Sequence, residues 1–192
     1  MPSEEPVTSH LLPYAHLLGS RPIDSIDLVV IHCTELPDLV TAREYGERIH
    51  YQESGTGNSG HFYIERNGDV QQWVPMDRVA HHVRNYNESS IGIELVNTGR
   101  FPHWFDSRHQ VMKEAYPRTQ IESLIALLGR LSEEVSCLKK ISGHAFLDTA
   151  TVAASDQPET RVFRKLDPGP EFPWKEVLSN ISLEWFDPRT EN

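Results

Sequence analysis

The chain has 192 residues, 38% hydrophobic and 24% charged, and its 18 Lys+Arg against 28 Asp+Glu give a formal charge of −10. That is the size and composition of one globular domain with its own core. So acidic a chain disfavours nucleic acid or an anionic membrane as partner, no run reaches the ~18 apolar residues of a bilayer span, and two cysteines cannot build a disulfide framework.

Residues 1–25 read as a loosely structured lead-in, 26–180 as the domain and 181–192 as a tail. Residues 26–33, Ile-Asp-Leu-Val-Val-Ile-His-Cys, are almost wholly apolar and predict a strand buried on both faces. Thr41-Ala-Arg-Glu44 has the form of a capping box and predicts a helix over 41–52. A Gly-rich loop follows over 54–60, and then two short strand patterns, 61–65 and 70–74, flank Arg-Asn-Gly-Asp, a hairpin signal. Residues 89–97 predict another strand, with Ile91, Ile93 and Leu95 on one face. Behind Pro117, a second capping box (Thr119 to Glu122) opens an amphipathic helix carrying Ile121, Leu124, Leu128, Leu131 and Val135 and ending near Leu138. A short strand over 140–143 and a last helix near Trp174 complete the pattern. Strands interleaved with helices, plus one hairpin, predict an α/β fold with a mixed sheet covered by helices. Residues 98–118 and 145–164 carry no clear period, and irregular stretches of that length are either functional or mobile.

Few residues in this pattern can carry chemistry. His32 ends an apolar strand and His144 follows Gly143, and either is also readable as a satisfied core histidine. Asp167 lies in Lys-Leu-Asp-Pro-Gly-Pro, where a turn aspartate is equally natural. Together two His and one Asp can supply a three-ligand catalytic zinc site with the fourth position open. Lys165 stands two residues before Asp167 and so on the same side of an extended segment, near enough to stabilise an oxyanion. Glu94, in an otherwise apolar strand, is either a base for an activated water or a structural carboxylate. Cys33 faces away from His32 and reads as a buried thiol, while His81 and His82 read as surface or supporting residues. Phe101, Trp104 and Phe105 either rim a groove, where rings stack on sugars, or pack in the core.

The ordered blocks Val30-Ile-His-Cys-Thr34, Gly60-His-Phe-Tyr-Ile-Glu-Arg-Asn-Gly68, Ser90-Ile-Gly-Ile-Glu-Leu95, Gly143-His144 and Arg164-Lys-Leu-Asp-Pro-Gly-Pro-Glu-Phe-Pro-Trp174 resemble the zinc-dependent N-acetylmuramoyl-L-alanine amidases of the type 2 family. Their fold is shared with phage lysozyme-like amidases and peptidoglycan recognition proteins. The resemblance covers residues 26–178 and implies a central mixed β-sheet flanked by helices on both sides, in a single domain. It implies Zn2+ on His32, His144 and Asp167, with Glu94 activating water and Lys165 beside the metal aspartate. It implies peptidoglycan fragments (muropeptides) as partners and hydrolysis of the amide between N-acetylmuramic acid and L-alanine. His61, Trp104 and Phe105 are the candidate substrate contacts. Gly60 stands where some phage relatives carry a tyrosine, and Val79-Ala-His-His82 stands where many relatives carry an aromatic and a His. The alternatives are a non-cutting module of the same fold and an envelope amidase acting on intact wall. The opening Met-Pro-Ser-Glu-Glu-Pro shows no basic region and no apolar stretch, so a cytoplasmic recycling role is expected.

Overall fold

The computed structural model describes residues 7–190. In chain order the strands and helices are β1 (Thr8–Ser9), β2 (Leu28–Cys33), α1 (Leu39–Gly46), β3 (Phe62–Ile64), β4 (Val70–Gln72), β5 (Ser90–Leu95), α2 (Arg118–Glu134), β6 (Lys140–Gly143), α3 (His144–Leu147), β7 (Thr151–Ala153), β8 (Arg161–Phe163), α4 (Trp174–Ser179) and β9 (Glu184–Trp185). Seven strands form one mixed sheet in the order β1-β4-β3-β5-β2-β6-β9, and β7 pairs with β8 apart from it. Only the β3–β4 hairpin is antiparallel within the sheet; its turn places Gly68 at φ +100°, the left-handed region that the Asn-Gly signal anticipates.

All six residues of β2 are buried, because β5 and β6 flank it and both faces are covered. The period of two divides its side chains. Val29 and Ile31 join Ile64, Ile91, Ile93 and Leu95 under Ile121, Leu124, Leu128 and Leu131 of α2 and Val177 of α4. On the other face Leu28 and Val30 pack with Val83, and Tyr63 packs with Ala42 of α1, Leu12 and Trp73. The sheet therefore has α2 and α4 on one face and α1 on the other. No helix of the described residues is long and apolar enough to cross a membrane.

Four local expectations change. Helix α1 begins at Leu39 because Asp38, not Thr41, is the cap: its carboxylate accepts from the Thr41 N–H at 2.7 Å. It ends at Gly46, six residues short of Gln52, where the Trp73 ring would lie 3.2 Å from an added Cβ. The second capping box does not form either; the Thr119 hydroxyl instead donates to the Arg66 carbonyl at 2.8 Å, tying the β3–β4 turn to α2, which stops at Glu134. Residues 145–164 contain α3 and the β7–β8 hairpin; of the strand residues there only Val162 is buried, so no alternation was written into the sequence. Ahead of β2, Leu12, Tyr14, Ala15 and Leu18 are buried in the cluster around Trp73, so residues 7–25 are packed rather than loose.

Leu128 is fully buried between α2 and the sheet. Leu128→Ala is expected to cost about 2–5 kcal/mol through lost burial and the cavity left behind, read from urea unfolding at constant m; a loss under ~1 kcal/mol would contradict the packing described.

Candidate metal centre and groove

Parallel pairing sets the site. His32 of β2 is the register partner of Glu94 of β5, and Glu94 is in turn the partner of Tyr63 of β3. Ile31 pairs with Gly143, so His144, the first residue of α3, emerges beside His32. Tyr63, Glu94, His32 and His144 thus form a row at the carboxyl ends of neighbouring parallel strands, where open α/β sheets place their ligands. Asp167 reaches this row from the loop after β8, held by the Ala145 N–H donating to its carbonyl at 2.9 Å.

Two imidazoles converge on one carboxylate oxygen. His32 Nδ1 lies 2.9 Å and His144 Nδ1 3.1 Å from Asp167 Oδ2, and all three residues are buried. Their ligand-type atoms lie within 4.8 Å of one another. Ligands at ~2.1 Å around a tetrahedral ion stand about 3.4 Å apart, so small shifts admit one. Asp167 Oδ1 is buried with no hydrogen-bond partner among the described residues, so a carboxylate oxygen is left free for a cation at this point. Burial opposes ionisation of Asp167, but His144, His32 and Lys165 outweigh it and hold the carboxyl well below its usual range. Burial lowers His144, leaving the neutral ring a metal needs. The set can hold a metal ion.

Glu94 Oε1 is 4.0 Å from His32 Nδ1, with 15% of its side chain exposed. Burial raises its carboxyl, partly offset by His32. An added Cβ on Gly60 would meet Glu94 Cγ at 2.9 Å, so that position has to be small for Glu94 to stand where it does. These groups floor a groove of about 640 Å³ whose walls include Tyr51, Arg84, Trp104, Phe105 and Lys165. Trp104 donates from Nε1 to the Glu35 carbonyl at 3.1 Å, and Phe105 is 40% exposed.

His61 is the exception among the candidate substrate contacts. It is 0% exposed, accepts at Nδ1 from the Gly92 N–H at 3.0 Å and gives Nε2 to the Arg78 carbonyl at 3.0 Å. It is a buried structural residue outside the groove. His82, read as surface or supporting, is half-buried and stands against His32, with its Nδ1 2.9 Å from His32 Nε2.

The sequence reading missed the Arg100–Glu35 pair. Arg100 Nε and Nη2 donate to the two oxygens of Glu35 at 2.7 and 2.8 Å, and Arg100 also reaches the carbonyls of Phe163 and Arg164 at 3.0 and 3.3 Å. Glu35 sits at φ +48°. The pair clamps the loop after β2 to the segment leading into Lys165 and Asp167. No short-range signal marks it, since 65 residues separate its members.

Residues 21–170 match the N-acetylmuramoyl-L-alanine amidase family (Amidase_2). With this fold and this site, the chain belongs to that family. The 1,6-anhydro-N-acetylmuramyl-L-alanine amidase AmpD of Salmonella typhimurium strain SL1344 is 32% identical over 133 residues, covering 65% of this chain and 58% of the relative, so the chain spans less than two thirds of that protein's length. A crystal structure of AmpD shares the fold at TM-score 0.63 and 24% identity, over 93% of this chain and 95% of that one. AmpDh3 from Pseudomonas aeruginosa, solved with anhydromuramic pentapeptide, does so at TM-score 0.62 and 24% identity, over 86% of this chain and 64% of that one.

Two measurements probe this geometry. Arg100→Met strands a buried Glu35 carboxylate and is expected to cost about 3–5 kcal/mol in urea unfolding; the double change Glu35→Gln, Arg100→Met should cost less, and equal losses would deny the coupling. His61 is pushed down to about 3, first by burial and then by the Arg21 guanidinium beside it. An unfolded His binds its proton near pH 6.5, so folding loses stability as pH falls below that value. Between pH 7 and 5 this contributes about 2 kcal/mol, and His61→Gln should shrink the acid loss by that amount; an unchanged slope would show His61 to be readily protonated in the fold.

Proposed function

We propose that the chain is a zinc-dependent amidase that cleaves the amide between N-acetylmuramic acid, in its 1,6-anhydro form, and the L-alanine of the stem peptide, on soluble muropeptides. The observation that carries the reading is the meeting of two imidazole Nδ1 atoms on one Asp167 oxygen, beside Glu94, in the floor of an open groove. Family membership supports the amide chemistry, and the name of the AmpD relative supports the anhydro sugar.

On this reading His32, His144 and Asp167 hold the ion, which when bound supplies Lewis-acid activation of water and of the scissile carbonyl. Glu94 takes the proton of the attacking water and returns it to the alanine nitrogen as the C–N bond breaks. Its raised carboxyl suits a group that must hold a proton between those two steps. Lys165 brings positive charge to the oxyanion. Arg84 lines the same groove and offers a partner for a carboxylate of a stem peptide. A cytoplasmic setting belongs to the proposal; the free Cys33 and Cys137, the latter exposed, suit a reducing compartment.

Glu94→Gln is expected to keep one equivalent of zinc and lose hydrolysis by ~10²–10⁴-fold, with peptide release from a defined anhydromuropeptide followed by mass spectrometry. Near-native turnover would return Glu94 to a structural role. Faster release from whole sacculi than from the soluble muropeptide would overturn the substrate assignment.

A further inference from the structure

We propose that His82 is a positioning residue for the metal centre: with Ser90 and the Tyr86 carbonyl it forms a one-directional hydrogen-bond chain that leaves the His32 Nδ1 lone pair facing Asp167. The proposal rests on the reading of His32 as a metal ligand and adds what sets that ligand's tautomer.

The direction follows from the end of the chain. A backbone carbonyl can only accept, and the Ser90 Oγ lies 2.7 Å from Tyr86 O, so the hydroxyl proton points there. Ser90 Oγ then accepts from its other neighbour, His82 Nε2, at 3.2 Å. A neutral His82 carrying its proton on Nε2 has a lone pair on Nδ1, and Nδ1 lies 2.9 Å from His32 Nε2, which must donate. A neutral His32 protonated on Nε2 has its lone pair on Nδ1, which lies 2.9 Å from Asp167 Oδ2. A lone pair set against a carboxylate oxygen at that distance is an arrangement that a cation between them resolves.

The surroundings are built to hold His82 in place. Asn87 Oδ1 accepts from the backbone N–H groups of His82 and Val83 at 3.0 and 2.8 Å. The imidazole lies over Gly92, where an added Cβ would come 2.6 Å from His82 Nδ1, so the glycine of Ile-Gly-Ile-Glu is what admits the ring. His32 and His82 meet edge to face, with ring centroids 5.1 Å apart. The two histidines of the centre are unequal in this respect, because His144 Nε2 has no partner among the described residues. Outer partners of a metal-bound His orient the ring, and their loss typically weakens metal binding 10–100-fold.

The test compares the full chain with His82→Ala, His82→Gln and Ser90→Ala, reading zinc affinity by competition with a chelator. His82→Ala should weaken zinc by ~10–100-fold. His82→Gln, whose amide can accept from His32 and donate to Ser90, should recover most of that loss. Ser90→Ala, which removes one hydroxyl and keeps the fold if His82→Ala does not, should weaken zinc by a smaller factor. In the zinc-loaded protein, long-range 1H–15N spectra should show His32 and His82 protonated on Nε2. Zinc affinity within twofold of the parent in both His82→Ala and Ser90→Ala, or a His82 protonated on Nδ1, would overturn the proposal. Failure of the parent chain itself to bind zinc would instead sink the metal reading beneath it.

Discussion

The register between β2 and β5 is the constraint on which the site depends. His32 opposite Glu94 is a consequence of six consecutive parallel pairings from Leu28–Ser90 to Cys33–Leu95. A slip of β2 by one residue against β5 would turn His32 into the apolar layer under α2 and bring Ile31 to the groove beside Glu94. The cost of burying a His in that layer, and of bringing an isoleucine to the groove, forbids the slip. The hydrophobic pattern that drives folding therefore also sets which polar atoms meet.

The third metal-type ligand is delivered differently. Asp167 comes from a loop, and loops need external anchors if they are to hold an atom within a few tenths of an ångström. Here the anchors are polar: Arg100 grips the Phe163 and Arg164 carbonyls while ion-paired to Glu35, and the Tyr116 hydroxyl donates to the Pro168 carbonyl at 2.6 Å. Gly143 is small because Pro168 and Trp174 would each lie 2.9 Å from a Cβ there, so the strand that presents His144 and the loop that presents Asp167 are in direct contact. The strands supply rigidity and the buried Arg–Glu pair extends it into the loop.

What was legible in the sequence followed this division. The buried strand at β2, the hairpin at Asn67-Gly68 and the apolar stripe of α2 are periodic or turn signals that local physics writes into a few adjacent residues. The His32, His144 and Asp167 set became readable only through the resemblance of ordered blocks, because their spacing of 112 and 23 residues carries no local rule. The capping boxes misled because Asp38 lay closer to the start of α1 and because Thr119 found a tertiary partner in Arg66. His61 stood among the candidate substrate contacts, yet burial and two backbone hydrogen bonds consume both its nitrogens. Arg100 and Glu35 left no trace, as a long-range ion pair is invisible to any window of sequence.

The charge distribution closes the physical account. A chain of formal charge −10 would repel an anionic ligand if its acids faced the groove. They do not act freely there: Glu35 is neutralised by Arg100 and Asp148 is paired with Arg164. Glu94 and Asp167 remain, and Asp167 lies in the floor with Lys165 in the same lining. Arg84 and Lys165 add cations to the walls, and Arg84 lies near enough to Arg164 to lower its affinity for a proton, after the larger effect of burial. The groove walls thus carry Arg84 and Lys165 within an otherwise acidic chain, a contrast that lessens repulsion of an anionic group approaching them. Because the walls are solvent-exposed and the outer field is screened over about 8–10 Å at physiological salt, the contrast acts on encounter, while the buried floor of Glu94, His32, His144 and Asp167 keeps its electrostatics largely independent of ionic strength.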